Sequence, residues 1–129
     1  MPGRALLDTS AAAALLRGDH TLNDTLEALR EVYTSVVVIG ELIYGARLSA
    51  NSEANLERVA AFAAAVTVLP VDDATSEAYA RIKQLLRRKG RPIPDNDLWI
   101  AATAAQHGLA LLHNDAHFDE IDELPGLRW

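Results

Sequence analysis

Short apolar runs alternate with longer helical patterns along this chain, and that alternation limits the folds it can form. Each run is too short for a helix but suits a buried strand. The clearest runs cover residues 5–7, 67–69, 109–112 and 127–129. A further β-rich run, 33–39, is either all strand or a short strand that passes into a helix at about Ser35. Such alternation predicts an α/β fold with a central, mostly parallel sheet of four to five short strands and helices on both faces.

Helical patterns fill the chain between these runs. Apolar side chains recur at helical spacing, and glycines follow several segments where a helix would stop. We expect helices over 11–17 (capped by Thr9 or Ser10), 21–31, 41–48, 52–65, from Asp72 or Asp73 to about Lys89, from Asp95 or Asn96 to His107, and near 118–121. No linker and no repeat divides the sequence, so we predict a single domain over residues 1–129.

The composition excludes several classes of protein. Twelve basic and eighteen acidic residues give a net charge of −6, which argues against coating nucleic acid by bulk charge but not against a local basic surface. The chain has no cysteine, so it has no disulfide, thiolate metal site or cysteine nucleophile. Its apolar stretch at 11–16 is far shorter than the roughly 20 residues of a membrane span. We therefore expect no membrane segment and a cytoplasmic protein.

Four carboxylates occupy positions where such a fold gathers its chemistry. Asp8 and Asp115 follow two predicted strands, and ligands bind outside the carboxyl ends of parallel strands. Asp97 lies in the first turn of a helix, and Glu41 interrupts an apolar run, where an unpaired charge is costly. Structural alternatives remain open: Asp8 as a helix cap, Asp97 as a helix-start charge and Asp115 as a turn residue. An all-oxygen set without thiolates favours Mg²⁺ or Mn²⁺ over zinc.

Four separated blocks of sequence resemble, in the same order, the motifs of the PIN-domain family. They are LLDTS at 6–10 with the alanine-rich helix behind it, ELIYGA at 41–46, DLWIAATA at 97–104 and LLHNDAHF at 111–118. The resemblance covers nearly the whole chain and is closest to the VapC-type toxins of bacterial toxin–antitoxin pairs. It implies a sandwich of helices around a parallel sheet and the activity of a metal-dependent endoribonuclease. Water would attack the phosphodiester, leaving 5′-phosphate and 3′-hydroxyl ends.

The resemblance also implies a role for each matched acid. Asp8, Glu41 and Asp97 match the three most regular acidic positions of the family, and Asp115 matches its more variable fourth. We expect Asp8 and Asp97 to hold the metal, with Glu41 and Asp115 contributing directly or through water. His113 departs from the family, which usually has Thr or Ser at that position. The candidate supporting residues are Thr9, Ser10, His113 and Asn114.

Half of the basic side chains lie within residues 81–91, a stretch without acids. Such a stretch either follows an RNA backbone or forms a solvated helix face. The candidate RNA contacts are Arg17, Arg87, Arg88 and Lys89.

The spacing His113-x-Asp115-x-His117-x-Asp119 offers another interpretation, a transition-metal cluster. The favoured interpretation has His113 lining the acidic site, with His117 and Asp119 on the surface.

Two other functional classes compete with the ribonuclease. A PIN scaffold that has lost catalysis would only bind a partner. A phosphoacceptor receiver domain has similar length, but it needs an acidic pair after its first strand and a lysine after its fifth. Here Asp8 stands alone, and no lysine follows residues 109–112. By resemblance, the expected partners are an RNA substrate, a cognate VapB-like antitoxin and a second copy of the chain in a homodimer. Tyr33 and Tyr44 are candidate contacts of such a dimer.

Overall fold

A computed structural model describes residues 3–129, so the first two residues of the predicted domain lie outside the described part. Its strands are β1 (Arg4–Leu7), β2 (Glu31–Ser35), β3 (Thr67–Leu69), β4 (Ala110–His113) and β5 (Gly126–Arg128). Its helices are α1 (Thr9–Leu16), α2 (Asn23–Glu27), α3 (Val36–Leu48), α4 (Ser52–Ala65), α5 (Asp73–Lys89) and α6 (Asp95–Gln106). Residues 3–129 also form two short 3₁₀ helices, His20–Leu22 and Ala116–Glu120.

The five strands form one sheet in the order β3-β2-β1-β4-β5, and every neighbouring pair is parallel. The predicted α/β fold with a parallel sheet and helices on both faces is therefore confirmed. A receiver-type domain has the strand order 2-1-3-4-5, so this topology excludes that alternative.

The core lies on both sides of the central strands. In β1, Ala5, Leu6 and Leu7 are completely buried, and β4 is buried along its whole length. Applied to this strand order, the right-handed rule for parallel crossovers assigns α1–α4 to one face of the sheet and α5 and α6 to the other. Each leucine buried in this way stabilises the fold by about 1.5–3 kcal/mol. These two strands therefore form a rigid base for the residues that follow them.

The switch point of the sheet lies between the neighbouring strands β1 and β4, and it determines where side chains converge. From β1 the chain builds outward through β2 and β3, then returns to add β4 on the other side of β1. The amide of Asp8 donates to the carbonyl of Leu112 (3.1 Å), so the two strands still lie together where β1 ends. The crevice at such a point is the usual ligand site of an open parallel sheet.

One predicted helix is shorter in the structure, and the ambiguous run at 33–39 adopts one of its two predicted alternatives. The helix expected over 21–31 ends at Glu27, because the amides of Arg30 and Glu31 donate to the carbonyl of Gly3 and draw the chain into β2. The ambiguous run at 33–39 is strand to Ser35 and helix after it. The Ser35 hydroxyl accepts from the amide of Val37 (3.0 Å) and caps α3.

The side-chain caps of two helices differ from those expected. Asp8, rather than Thr9 or Ser10, caps α1, which confirms the structural alternative for Asp8. Neither Asp95 nor Asn96 caps α6, whose N-cap is Pro94 and has no side-chain hydrogen bond. Asp95 instead accepts a hydrogen bond from the Tyr79 hydroxyl (3.0 Å). Within residues 3–129, no helix is both long and apolar enough to cross a membrane.

Candidate active site

Asp8 is the most deeply buried acid of the site, with only 4% of its surface exposed. Its carboxylate accepts hydrogen bonds from the amide of Ala11 (2.8 Å) and from the hydroxyl of Ser10 (2.7 and 3.0 Å). Burial raises the pKa of Asp8. These two donors oppose that rise, and the nearby charges of Asp97 and Asp115 add to it. The pKa of Asp8 is therefore raised by burial first and by the like charges of Asp97 and Asp115 second.

Asp97 and Asp115 reach the same crevice from different directions. α6 precedes β4 and runs back along the sheet, so its first turn, which carries Asp97, lies at the carboxyl edge. Asp115 follows β4 and caps the second 3₁₀ helix by accepting from the amide of His117 (3.1 Å). Burial raises the pKa of Asp97. The neighbouring His117 lowers it, and the charge of Asp115 raises it further. Asp97 and Asp115 are thus close enough to Asp8 to raise its pKa, and Asp115 is close enough to raise the pKa of Asp97.

Glu41 joins this cluster through Thr9. It lies on α3, the helix that follows β2, and its Oε1 accepts a hydrogen bond from the Thr9 hydroxyl (2.8 Å). Because Thr9 directly follows Asp8, the bond holds Glu41 beside the acidic crevice. The apolar run around Glu41 is explained by the neighbouring positions Val38, Leu42 and Ala46, which are buried in the core.

His117 lies between two of the acids, whereas the sequence placed it on the surface. Its Nδ1 lies 3.0 Å from Asp115 Oδ1, and its Nε2 lies 3.3 Å from Asp97 Oδ2. Nε2 is shielded from solvent and has no well-aligned hydrogen-bond partner among residues 3–129. The HxDxH spacing was the only sequence signal for this position. The orientation of the ring depends on the 3₁₀ turn that Asp115 caps.

His113 stands behind the acidic cluster rather than on its wall. It is 1% exposed, its ring packs against Phe118, and its Nδ1 accepts from the amide of Asp115 (3.1 Å). Burial lowers the pKa of His113, which favours the neutral imidazole that this bond requires. The Nδ1 atom is thus engaged and is not free to bind a metal. Asn114 is exposed, and its side chain makes no hydrogen bond to the part of the chain described here.

Ion pairs occupy half of the basic stretch at 81–91. Arg81 binds Glu123 through two hydrogen bonds (3.0 and 2.8 Å), Lys83 lies 3.4 Å from Asp95, and Lys89 lies 2.9 Å from Asp122. Lys89 also donates to the carbonyl of Glu120 (2.7 Å). It therefore ties the end of α5 to the segment before β5.

The remaining predicted RNA contacts have no such partner. Arg87, Arg88 and Arg17 are exposed and make no ion pair within residues 3–129.

The donors at this site are carboxylate oxygens with one imidazole, which suit a hard divalent cation. The raised pKa values of Asp8 and Asp97 also fit a site that a cation would stabilise. Within residues 3–129, no three His, Asp or Glu side chains are gathered closely enough to hold a metal ion together. Mg²⁺ keeps several of its waters and is often bound through only one or two carboxylates. The residues therefore fit an open, partly hydrated ion site.

The family model of the PIN domain matches residues 5–124. This chain belongs to the PIN-domain family, as its sequence motifs indicated.

Within that family its relatives are VapC proteins. It is 36% identical over 123 residues to Ribonuclease VapC5 of Mycobacterium tuberculosis, covering 94% of this chain and 90% of that protein. It is also 36% identical over 94 residues to the tRNA(fMet)-specific endonuclease VapC of Shigella flexneri, covering 73% of this chain and 70% of that protein. The predicted membership of the VapC type is confirmed.

Solved structures of the same group share the whole fold. VapBC2 from Rickettsia felis, bound to a DNA fragment from its promoter, matches with a TM-score of 0.90 at 25% identity, over 98% of both chains. VapBC-5 of Mycobacterium tuberculosis, a toxin–antitoxin system, matches with a TM-score of 0.83 at 31% identity, over 99% of this chain and all of the other.

Proposed function

We propose that this protein is a metal-dependent endoribonuclease that hydrolyses RNA phosphodiester bonds and acts as the toxin of a toxin–antitoxin pair. The observation that carries the proposal is the convergence of Asp8, Asp97 and Asp115 at the switch point of the sheet, with Glu41 tied to them through Thr9. Its VapC relatives are named ribonucleases and a tRNA-specific endonuclease.

The proposed cofactor is Mg²⁺ or Mn²⁺. Asp8 and Asp97 would hold the ion, with Glu41 and Asp115 contributing directly or through water. When bound, the ion supplies a water of lowered pKa and offsets charge on the attacked phosphate. The like charges of Asp8, Asp97 and Asp115 make the metal-free site unfavourable, and this gives the site its affinity for a cation.

The chain's own residues orient this site. Ser10 and the amide of Ala11 fix the Asp8 carboxylate, and Thr9 fixes Glu41. His113 holds the backbone of Asp115. Such preorganisation places the carboxylates before substrate arrives, so little reorganisation is needed during the reaction.

A VapB-like antitoxin is the proposed protein partner, because the matched structures from Rickettsia felis and Mycobacterium tuberculosis are VapBC systems. A cationic residue of such a partner would compete with the metal for the acidic crevice through simple charge attraction.

The decisive experiment compares the purified chain with its Asp97→Asn variant on RNA, with Mg²⁺, with Mn²⁺ and with EDTA. Cleavage by the unsubstituted chain should require the metal, leave 5′-phosphate ends and be lost in Asp97→Asn while the fold is retained. Cleavage that survives EDTA would remove the metal from the mechanism. Absence of cleavage by the unsubstituted chain under all metal conditions would instead support the alternative, a PIN scaffold that only binds a partner.

A further inference from the structure

A second feature adjoins the acidic site: a groove of about 410 Å³ between α1, α3 and α4. Its volume lies within the range of small-ligand sites, roughly 300–1,000 Å³. Thr9 and Glu41 line it as well, so the groove is continuous with the acidic crevice. Its apolar walls are formed by Ala13, Leu16, Leu42, Gly45, Ala46 and Val59.

Small side chains form part of the lining. Ala13 on α1 and Gly45 and Ala46 on α3 line the groove beside the longer Leu16 and Leu42. A Cβ atom built on Gly45 would meet nothing within 4 Å. Glycine in the middle of a helix costs about 0.5–1 kcal/mol relative to alanine, and no turn or positive φ requires it at position 45. Position 45 therefore borders open space, and a larger side chain there would extend into the groove.

Two cations border the same groove. Arg17 and Arg58 are exposed, and neither makes an ion pair within residues 3–129, in contrast to Arg81 and Lys89 of α5. Asn55 adds a polar group: its Nδ2 donates to the Ser49 hydroxyl (2.8 Å), which fixes the orientation of its amide. Apolar walls, two free cations and a fixed amide form a lining suited to a ligand with a flat apolar part and negative charge.

We infer that this groove is the subsite for the nucleobase next to the cleaved bond, with Arg17 and Arg58 holding the flanking phosphates. The inference rests on the proposed ribonuclease function. RNA phosphates are repelled by an acidic centre, so part of the binding energy has to come from surfaces beside it. Single-stranded RNA supplies splayed bases and phosphates for such surfaces. Because Thr9 and Glu41 line the groove and adjoin the acids, a strand that passed Glu41 from the acidic centre would reach the groove.

The test compares Gly45→Leu, which fills the groove, with Ala64→Leu on an exposed part of α4 outside it. Arg58→Ala is paired with Arg30→Ala, which removes the same charge beside the amino-terminal end of the sheet. The dissociation constant of a fluorescent single-stranded RNA is measured in EDTA, and KM and kcat are measured with Mg²⁺. Thermal melts establish that each variant is folded.

Gly45→Leu should raise the dissociation constant and KM by about 10-fold or more, the size expected when a base can no longer bury its apolar surface in the groove. Its kcat should change much less than its KM. Arg58→Ala should flatten the salt dependence of binding by about 0.7 in the log–log slope, one phosphate contact. Ala64→Leu and Arg30→Ala should match the unsubstituted chain.

Equal RNA binding by Gly45→Leu and the unsubstituted chain would overturn the inference. The inference would also be overturned if the groove variants lost binding to a co-expressed antitoxin but kept RNA binding, because the groove would then bind a segment of that protein. Failure of the unsubstituted chain to cleave RNA refutes the proposed function, whereas the binding measurements in EDTA still decide the role of the groove.

Discussion

Asp8 has two separable duties, and replacing it by Asn or by Ala distinguishes them. As the N-cap of α1 its carboxylate accepts from the buried amide of Ala11 at 2.8 Å. As part of the acidic cluster it carries charge at the switch point. Asn caps helices about as well as Asp but carries no charge, whereas Ala does neither. Both variants should lose RNA cleavage, but only Ala should lose the cap.

The size of the effect follows from the buried bond. Removing an N-cap costs about 0.5–2 kcal/mol, and leaving a buried amide without a partner costs about 1–3 kcal/mol. We therefore expect Asp8→Ala to be less stable than Asp8→Asn by about 1–2 kcal/mol. For a chain of 129 residues, an unfolding entropy of about 2.1 cal/mol/K per residue converts this into a difference in Tm of about 4–7 °C.

The assay is thermal unfolding followed by circular dichroism at neutral pH in EDTA, together with RNA cleavage in Mg²⁺. Asp8→Asn should melt at or above the temperature of the unsubstituted chain, because burial raises the pKa of Asp8 and its charged form destabilises the metal-free fold. Added Mg²⁺ should raise Tm in the unsubstituted chain more than in Asp8→Asn. Equal Tm values for the Asn and Ala variants would refute the capping argument, and cleavage by Asp8→Asn would refute the charge argument.

Four further predictions rest on other residues of the site and of α5. Burial raises the pKa of Asp97 in the folded protein above its ordinary value of 3.8. Protonated Asp97 therefore stabilises the fold below the unfolded-state pKa, and this stabilisation is lost as the pH rises through the folded-state pKa. In EDTA, the Tm advantage of Asp97→Asn over the unsubstituted chain should therefore grow from about pH 4 to pH 7; a constant difference contradicts this. His113→Asn keeps an acceptor for the Asp115 amide and should retain more RNA cleavage than His113→Leu, with equal losses in both arguing against the bond. Lys89→Met breaks an exposed ion pair and should cost under about 1 kcal/mol by thermal melts, leaving RNA affinity unchanged. Arg88→Ala should weaken RNA binding and reduce its salt dependence. If Lys89→Met lowered RNA affinity more than Arg88→Ala did, the RNA would lie on the Lys89 side of α5 instead.

The sequence was sufficient wherever local signals agreed. α5 begins after Asp72 and ends at Lys89 before Gly90, because a capping residue and a left-handed glycine bracket one apolar stripe. The central strands β1 and β4 could be predicted because buried parallel strands are short and apolar on both faces. The acids at the strand ends could be predicted to share one site because parallel strands bring their carboxyl ends to one edge of the sheet.

Long-range contacts explain what the sequence did not predict. α2 stops early because of hydrogen bonds to Gly3, more than twenty residues away in the sequence. The basic stretch is partly neutralised by Glu123 and Asp122, which local charge counting does not bring near α5. The position of His117 between Asp97 and Asp115 depends on tertiary packing of α6 against the end of β4.

The double duty of Asp8 has an evolutionary consequence. In a descendant that no longer cleaved RNA, selection for folding alone would still retain Asp8, since it caps α1, and Asp115, since it caps the second 3₁₀ helix. Glu41 and Asp97 cap no helix, so they would be free to drift. Among proteins of this fold, retention of the two capping acids is therefore a weak marker of activity. Joint retention of Glu41 and Asp97 is the stronger marker, and this chain has both.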